Sequence, residues 1–139
     1  LINFFSENIP FKLKEIRKLK AWIGETIKAE GYKTGQLNFI FCDDEYLLEL
    51  NVKYLKHRTL TDILTFPGLD KTGMISGDIF ISIPRVEENS GIYKKSFENE
   101  LRRVIIHGVL HLSGYNDSTD PEILEMRKKE DQYLELFRE

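Results

Sequence analysis

Apolar positions along the chain follow two periods. From Phe11 to Glu30, Leu13, Ile16, Leu19, Ile23 and Ile27 recur at helical spacing among lysines and glutamates, and Gly31 follows; this predicts an amphipathic helix with a glycine stop. The period then drops to two. Leu37, Phe39 and Phe41 alternate with Asn38 and Ile40, as in a strand with one strongly apolar face. Asp43 is an acidic cap for a short helix through Tyr46, Leu47, Leu50 and Tyr54. Thr61 to Phe66 is β-branched and apolar, and Pro67-Gly68 closes it in a turn. Gly73 to Ile83 reads as a further strand, with Ile79, Ile81 and Ile83 on one side and Phe80 on the other. Pro84 ends that strand, and a poorly patterned stretch, read as a short helix, runs on to Gly91.

Two helices close the chain. Ser96 caps the first, in which Leu101, Val104, Ile105, Val109, Leu110 and Leu112 wrap most of the circumference, as expected of a buried central helix. Asp120-Pro121, a cap plus a first-turn proline, opens an amphipathic helix through Ile123, Met126, Tyr133, Leu134 and Phe137. The order of elements predicts an α+β fold: a small mixed sheet packed against the buried helix and flanking helices, in one domain over residues 1–139.

Composition narrows the class. With 41% hydrophobic and 31% charged residues the chain is globular, and no apolar run approaches a bilayer span. The first residues lack the basic, apolar and small-residue succession of a signal peptide, so a cytoplasmic protein without a membrane partner is expected. Cys42 is the sole cysteine, which excludes an internal disulfide and a thiolate metal cluster; it reads as a small buried residue at a strand end. A formal net charge of −3 excludes coating nucleic acid by bulk electrostatics, and DNA is not an expected partner. A local basic groove is still compatible with it, from Lys53, Lys56, His57 and Arg58, from Lys94 and Lys95, or from Arg102 and Arg103.

The chemistry is concentrated in residues 107–117. His107 and His111 lie four apart on one helix face, with Cβ atoms roughly 5–6 Å apart, close enough for both imidazoles to reach one ion. Gly114 suits the left-handed conformation that ends a helix, so the chain turns back and brings Asp117 toward the same point. Three ligands with an open position match a catalytic zinc site and not a closed structural one. Core histidines beside an ordinary helix stop are the alternative. The spacing H-x-x-x-H-x-x-G-x-x-D keeps the ligand skeleton of the metzincin pattern, but Gly108 stands where zinc peptidases carry their catalytic Glu, which argues against a metalloprotease.

These residues resemble the YbeY family of metal-dependent endoribonucleases. The similarity runs over nearly the whole chain, through Leu50-Asn51 and Tyr54, Thr61 to Phe66, Gly77-Asp78-Ile79, Glu100 three residues after Phe97, and above all the family signature H-G-x-L-H-L-x-G-Y-D-H, matched at His107, Gly108, Leu110, His111, Leu112, Gly114 and Tyr115. The resemblance implies cleavage of single-stranded RNA in ribosomal RNA maturation and ribosome quality control, with rRNA and the small ribosomal subunit as partners. It implies one zinc ion per chain on His107, His111 and Asp117.

Two positions depart from the family. Asp117 replaces the usual third histidine; a carboxylate still binds zinc, but the set also suits iron or manganese. Leu55 replaces an arginine associated with catalysis, which leaves Arg58, a few residues on, as a catalytic candidate, and Lys53, His57 and Arg58 as candidate RNA contacts. The resemblance places Asp62 and Asp78 in the substrate groove. Their apolar neighbours favour a structural role for Asp62 and leave Asp78 evenly open between the groove, as a catalytic candidate, and a structural role accepting backbone or histidine N–H bonds. Two other functions are compatible with the sequence: a ribosome assembly factor with a structural metal and, less favoured, the metalloprotease.

Overall fold

The alternating run Lys33–Cys42 forms the long strand β2 around which the sheet is built. The structure is a computed structural model and describes residues 1–55, 61–69 and 73–137. Its other strands are β1 (Ile2–Ser6), β3 (Ile63–Pro67) and β4 (Met74–Ser82), in the order β1-β2-β4-β3. β1 and β4 both pair with β2 in parallel, and β3 pairs antiparallel with β4 at the sheet edge. The helices are α1 (Ile16–Ala29), α2 (Asp44–Leu50) continued by a π-helical turn (Asn51–Leu55), α3 (Ile83–Ile92), α4 (Phe97–Leu112) and α5 (Asp120–Leu134). This is the expected α+β arrangement, with a mixed sheet.

Period-two alternation gives the sheet two different faces. On one face Phe39, Phe41, Ile79 and Ile81 join Leu19, Trp22, Ile23 and Ile27 of α1 and Val104, Ile105, Val109 and Leu110 of α4 in the main core. On the other, Cys42 and Leu64 form a smaller core with Leu47 of α2, bordered by Phe66 and Phe80. Cys42 is fully buried there, and its thiol donates to the Ile81 carbonyl at 3.6 Å. Burial, with the charges of Asp43 and Asp44, pushes the thiol pKa to about 12, so Cys42 behaves as an inert packing residue.

Gly108 sets how close α4 lies to the sheet. A Cβ at that position would stand 2.9 Å from Ile63 Cδ1 and 3.0 Å from Ile79 Cγ2, so the helix rests directly on β3 and β4. The residue after the first histidine therefore faces a strand and not solvent.

Three local differences from the pattern have physical causes. The helix expected from Phe11 begins at Ile16, because Glu15 takes a left-handed conformation (φ 58°) that interrupts the backbone. Phe11 and Leu13 still pack against the core from non-helical chain, which is why they mimicked the helical stripe. Ile2–Ser6 gave no strand signal, since at this sheet edge only Ile2 and Phe4 pack inward while Phe5 is exposed. Finally, β4 ends at Ser82 and not at Ile83, because Ser82 caps α3 and Ile83 and Pro84 form its first turn, and Thr119 rather than Asp120 caps α5 in a capping box with Glu122.

Candidate metal centre

Helix α4 presents His107 and His111 one turn apart, with ring centroids 4.7 Å from each other. The helix then ends as the glycine predicted. Gly114 has φ 107°, its N–H donates to the His111 carbonyl at 3.1 Å, and the Tyr115 N–H donates to the Leu110 carbonyl at 3.0 Å, the paired bonds of a Schellman motif. Tyr115 is tied further by its hydroxyl, which donates to Glu30 Oε1 at 2.7 Å. Tyr133 also donates to Glu30, and Lys129 Nζ lies 3.3 Å from Glu30 Oε2. Hydrogen bonds from the two tyrosines and Lys129 outweigh the burial that opposes ionisation, and hold the Glu30 carboxyl below its ordinary pKa.

This anchored loop delivers Asp117. Its Oδ2 lies 3.3 Å from His107 Nε2 and 3.4 Å from His111 Nε2. Bonds of about 2.0–2.1 Å to an ion at tetrahedral angles hold ligand atoms about 3.3 Å apart, so both Asp117 distances have the length of a tetrahedron edge. All three ligand atoms lie within 4.8 Å of one another, and this is the one such group among the described residues. The donor set and its spacing fit a divalent metal ion.

Glu130 supports the site from α5. It is 3% exposed, accepts from His107 Nδ1 at 2.6 Å and from Arg103 Nη1 at 2.8 Å, while Arg103 Nη2 reaches Asp131 at 2.6 Å. A proton held on Nδ1 leaves the Nε2 lone pair facing Asp117, the arrangement that second-sphere carboxylates give metal-binding histidines. Burial works against both charged partners. For His107, the hydrogen bond and charge of Glu130, aided by Asp117 and Asp62, overcome burial and raise its pKa; for Glu130, bonds from His107 and Arg103 lower it. Glu130 was missed by sequence reasoning. The signal was a glutamate on the same helical face as the core residues Met126 and Tyr133.

A cavity of about 320 Å³ opens beside the centre, lined by His107 and Asp117 together with Asp62, Glu100, Arg103, Arg127 and Tyr93 among others. A wider crevice of about 550 Å³ between Phe11 and Phe137 shares none of the three candidate ligands.

The other candidates from sequence are distributed differently. Asp62, immediately before β3, lines the cavity. Asp78 does not reach the centre, and of the two roles open to it from sequence its contacts fit the structural one. Ile79 packs under Gly108, so its neighbour Asp78 points to the opposite sheet face, where it accepts from Asn38 at 3.0 Å in a row that continues to Asn3. Lys53 is exposed on the π-helical turn, with Nζ 5.2 Å from the Tyr54 ring centre. His57 and Arg58 lie outside the described residues.

The sequence model of the family described as endoribonuclease YbeY matches residues 2–138. The chain belongs to the YbeY family. Its YbeY relatives include the endoribonuclease YbeY of Flavobacterium psychrophilum, 48% identical over 133 residues that cover 96% of this chain and 94% of that protein. The endoribonuclease YbeY of Cytophaga hutchinsonii is 44% identical over 135 residues, covering 97% and 94%. Among solved structures, the solution structure of TM1509 from Thermotoga maritima aligns with a TM-score of 0.67 at 32% identity, covering 97% of this chain and 87% of that one. YbeY is a family of metalloenzymes, in keeping with the His107, His111 and Asp117 group.

Proposed function

We propose that this chain is a metal-dependent endoribonuclease that cuts single-stranded RNA in the maturation of ribosomal RNA and in ribosome quality control, with residues 1–139 acting as one domain. The observation that carries this reading is Asp117 Oδ2 at tetrahedral-edge length from both His107 Nε2 and His111 Nε2 beside an open cavity, in a chain whose relatives are named endoribonucleases. Zinc is the proposed ion, one per chain, because two imidazoles and a carboxylate with a remaining vacancy form a catalytic zinc set; iron and manganese tolerate the same donors. A divalent ion, when bound, polarises a phosphoryl oxygen and makes water acidic enough to serve as a nucleophile near neutral pH.

The chain's own residues do the rest. Glu130 keeps His107 in the tautomer that offers Nε2 to the ion. Asp117, with 42% of its side chain exposed, leaves the centre open to a substrate phosphate. Arg127, more than half exposed at the cavity rim, neutralises phosphate charge there. Lys53, His57 and Arg58 contact the RNA backbone, and Arg58 is the proposed replacement for the arginine that Leu55 displaces. The small ribosomal subunit is the proposed macromolecular partner, and the cytoplasm the proposed compartment. Among the described residues no helix is long and apolar enough to cross a membrane.

Packing of Gly108 on Ile63 and Ile79 counts against the peptidase reading, since a catalytic glutamate at that position would drive into the sheet. Leu55, 43% exposed where an arginine is usual, favours one other reading: an RNA-binding assembly factor whose metal stabilises the fold. Purified metal-loaded protein separates the two. Cleavage of single-stranded RNA that disappears in His111→Ala and on chelation supports the nuclease. Intact RNA together with retained binding to small ribosomal subunits establishes the factor instead.

A further inference from the structure

Glu100 is a deeply buried carboxyl at the cavity, within the field of Arg103 and Arg127 but bonded to neither. It is 4% exposed, yet its carboxyl has neither a hydrogen bond nor an ion pair among the described residues. Among the described residues no polar side-chain atom that is fully shut in lacks a partner, so the Glu100 oxygens open into the cavity they line. Asp62, just before the facing strand β3, lines the same space, and among the described residues no other side chain hydrogen-bonds it. Burial pushes both carboxyls up in pKa, and the charge of Asp62 adds to the effect on Glu100. Acceptors that line a crevice with no partner from the chain are open to a ligand that supplies donors.

A second metal ion is a poor candidate, because the one ligand cluster of metal-binding dimensions among the described residues is His107, His111 and Asp117. A phosphate belongs at the rim beside Arg127 and not between Glu100 and Asp62, whose carboxyls repel it deeper in the cavity. An uncharged donor fits, and so does its size: about 320 Å³ is at the small end of ligand pockets and suits one nucleoside. Tyr93, at the C-terminal end of α3, adds a ring 54% exposed at the cavity wall, and its hydroxyl has no partner among the described residues. Exposed aromatic rings of this kind stack single-stranded bases.

The geometry points to a nucleobase pocket beside the metal centre, in which Glu100 and Asp62 accept hydrogen bonds from the amino group of a base whose face stacks on Tyr93. The inference rests on the nuclease reading and specifies it. RNA with a phosphate at the His107, His111 and Asp117 group places its neighbouring nucleoside in this cavity, because the cavity shares His107 and Asp117 with that group. Cytosine carries an amino donor at the position where uracil carries a carbonyl acceptor, so the carboxyls attract the first and repel the second. Cytosine is therefore favoured over uracil beside the cut.

The test compares this isosteric pair in two settings. First, CMP and UMP are titrated into metal-free protein; wild type binds CMP about tenfold more tightly, and Glu100→Gln, whose amide both donates and accepts, loses the preference. Second, metal-loaded wild type cleaves RNA oligonucleotides that differ in one C or U at successive positions, and cuts about tenfold faster with C at one position next to the scissile phosphate. Equal binding of CMP and UMP by folded wild type overturns the pocket, as does a preference that survives in both Glu100→Gln and Asp62→Asn. A CMP preference without cleavage of any RNA upholds the pocket and removes the nuclease reading. Cleavage with no C-over-U difference at any position removes the pocket alone.

Discussion

The two ends of helix α4 treat buried carboxylates in opposite ways. At the C-terminal end every acid is bonded: Glu130 to His107 and Arg103, and Glu30 to two tyrosines and Lys129. Two turns earlier, Glu100 is as deeply buried as Glu130 but has no partner. The same residue type at similar depth thus serves two purposes. Where the acids are satisfied they fix the histidines and the Asp117 loop in place, as a preorganised metal centre needs. Where one is left unsatisfied, the chain keeps an acceptor ready for something it does not itself contain.

The largest expected effect breaks the bonded end. His111→Ala should abolish metal-dependent RNA cleavage, a loss well beyond the roughly 10–100-fold expected of a supporting residue, read by gel assay on metal-loaded protein. Glu130→Ala should cost about 1–3 kcal/mol in urea unfolding, because it removes the buried partner of His107 and leaves Arg103 with Asp131 alone, and should weaken zinc binding by about 10–100-fold. Unfolding free energy unchanged in that variant would remove Glu130 from the scaffold. Gly108→Glu tests the close approach of α4 to the sheet, with an expected loss of about 3 kcal/mol from overpacking and a buried charge.

Smaller effects sharpen the contrast. Replacing Glu100 with Gln should raise stability at neutral pH by about 1 kcal/mol, since it removes an unpartnered carboxylate. The pH dependences should also slope in opposite directions. Glu30 has a lowered pKa in the fold, so its contribution is present above the ordinary value of 4.5 and is lost as pH falls through the folded value. Glu100 has a raised one, so stability is greatest below 4.5 and declines as pH rises through the folded value. Melting of Glu30→Gln and Glu100→Gln against wild type, from about pH 3 to pH 7, should give difference curves of opposite sign. Parallel curves would mean that the two acids are not in contrasting environments.

Much of this could be read in the chain because it is local. Two histidines one turn apart, a glycine that must leave the helix with positive φ, and an aspartate three residues later are related by short-range geometry, which spacing reports directly. The core stripes of α4 and β2 follow from periodicity in the same way. What escaped is long-range. The bond from Glu130 to His107 crosses from α5 to α4, and Glu30 reaches the Asp117 loop across 85 residues of sequence through Tyr115. Asp78 stayed open because composition cannot say which face of a strand meets the central helix; the Gly108 contact with Ile79 decides it. Strand β1 was hidden by its exposed, half-apolar pattern at the edge of the sheet.

The central claim is that His107, His111 and Asp117 act together on one ion. Calorimetric titration of zinc into chelator-treated protein tests it most directly. One ion per chain should bind wild type, with affinity lost in His111→Ala and sharply reduced in Asp117→Ala. Failure of folded wild type to bind zinc, iron or manganese, or binding that is unchanged in both variants, would contradict it.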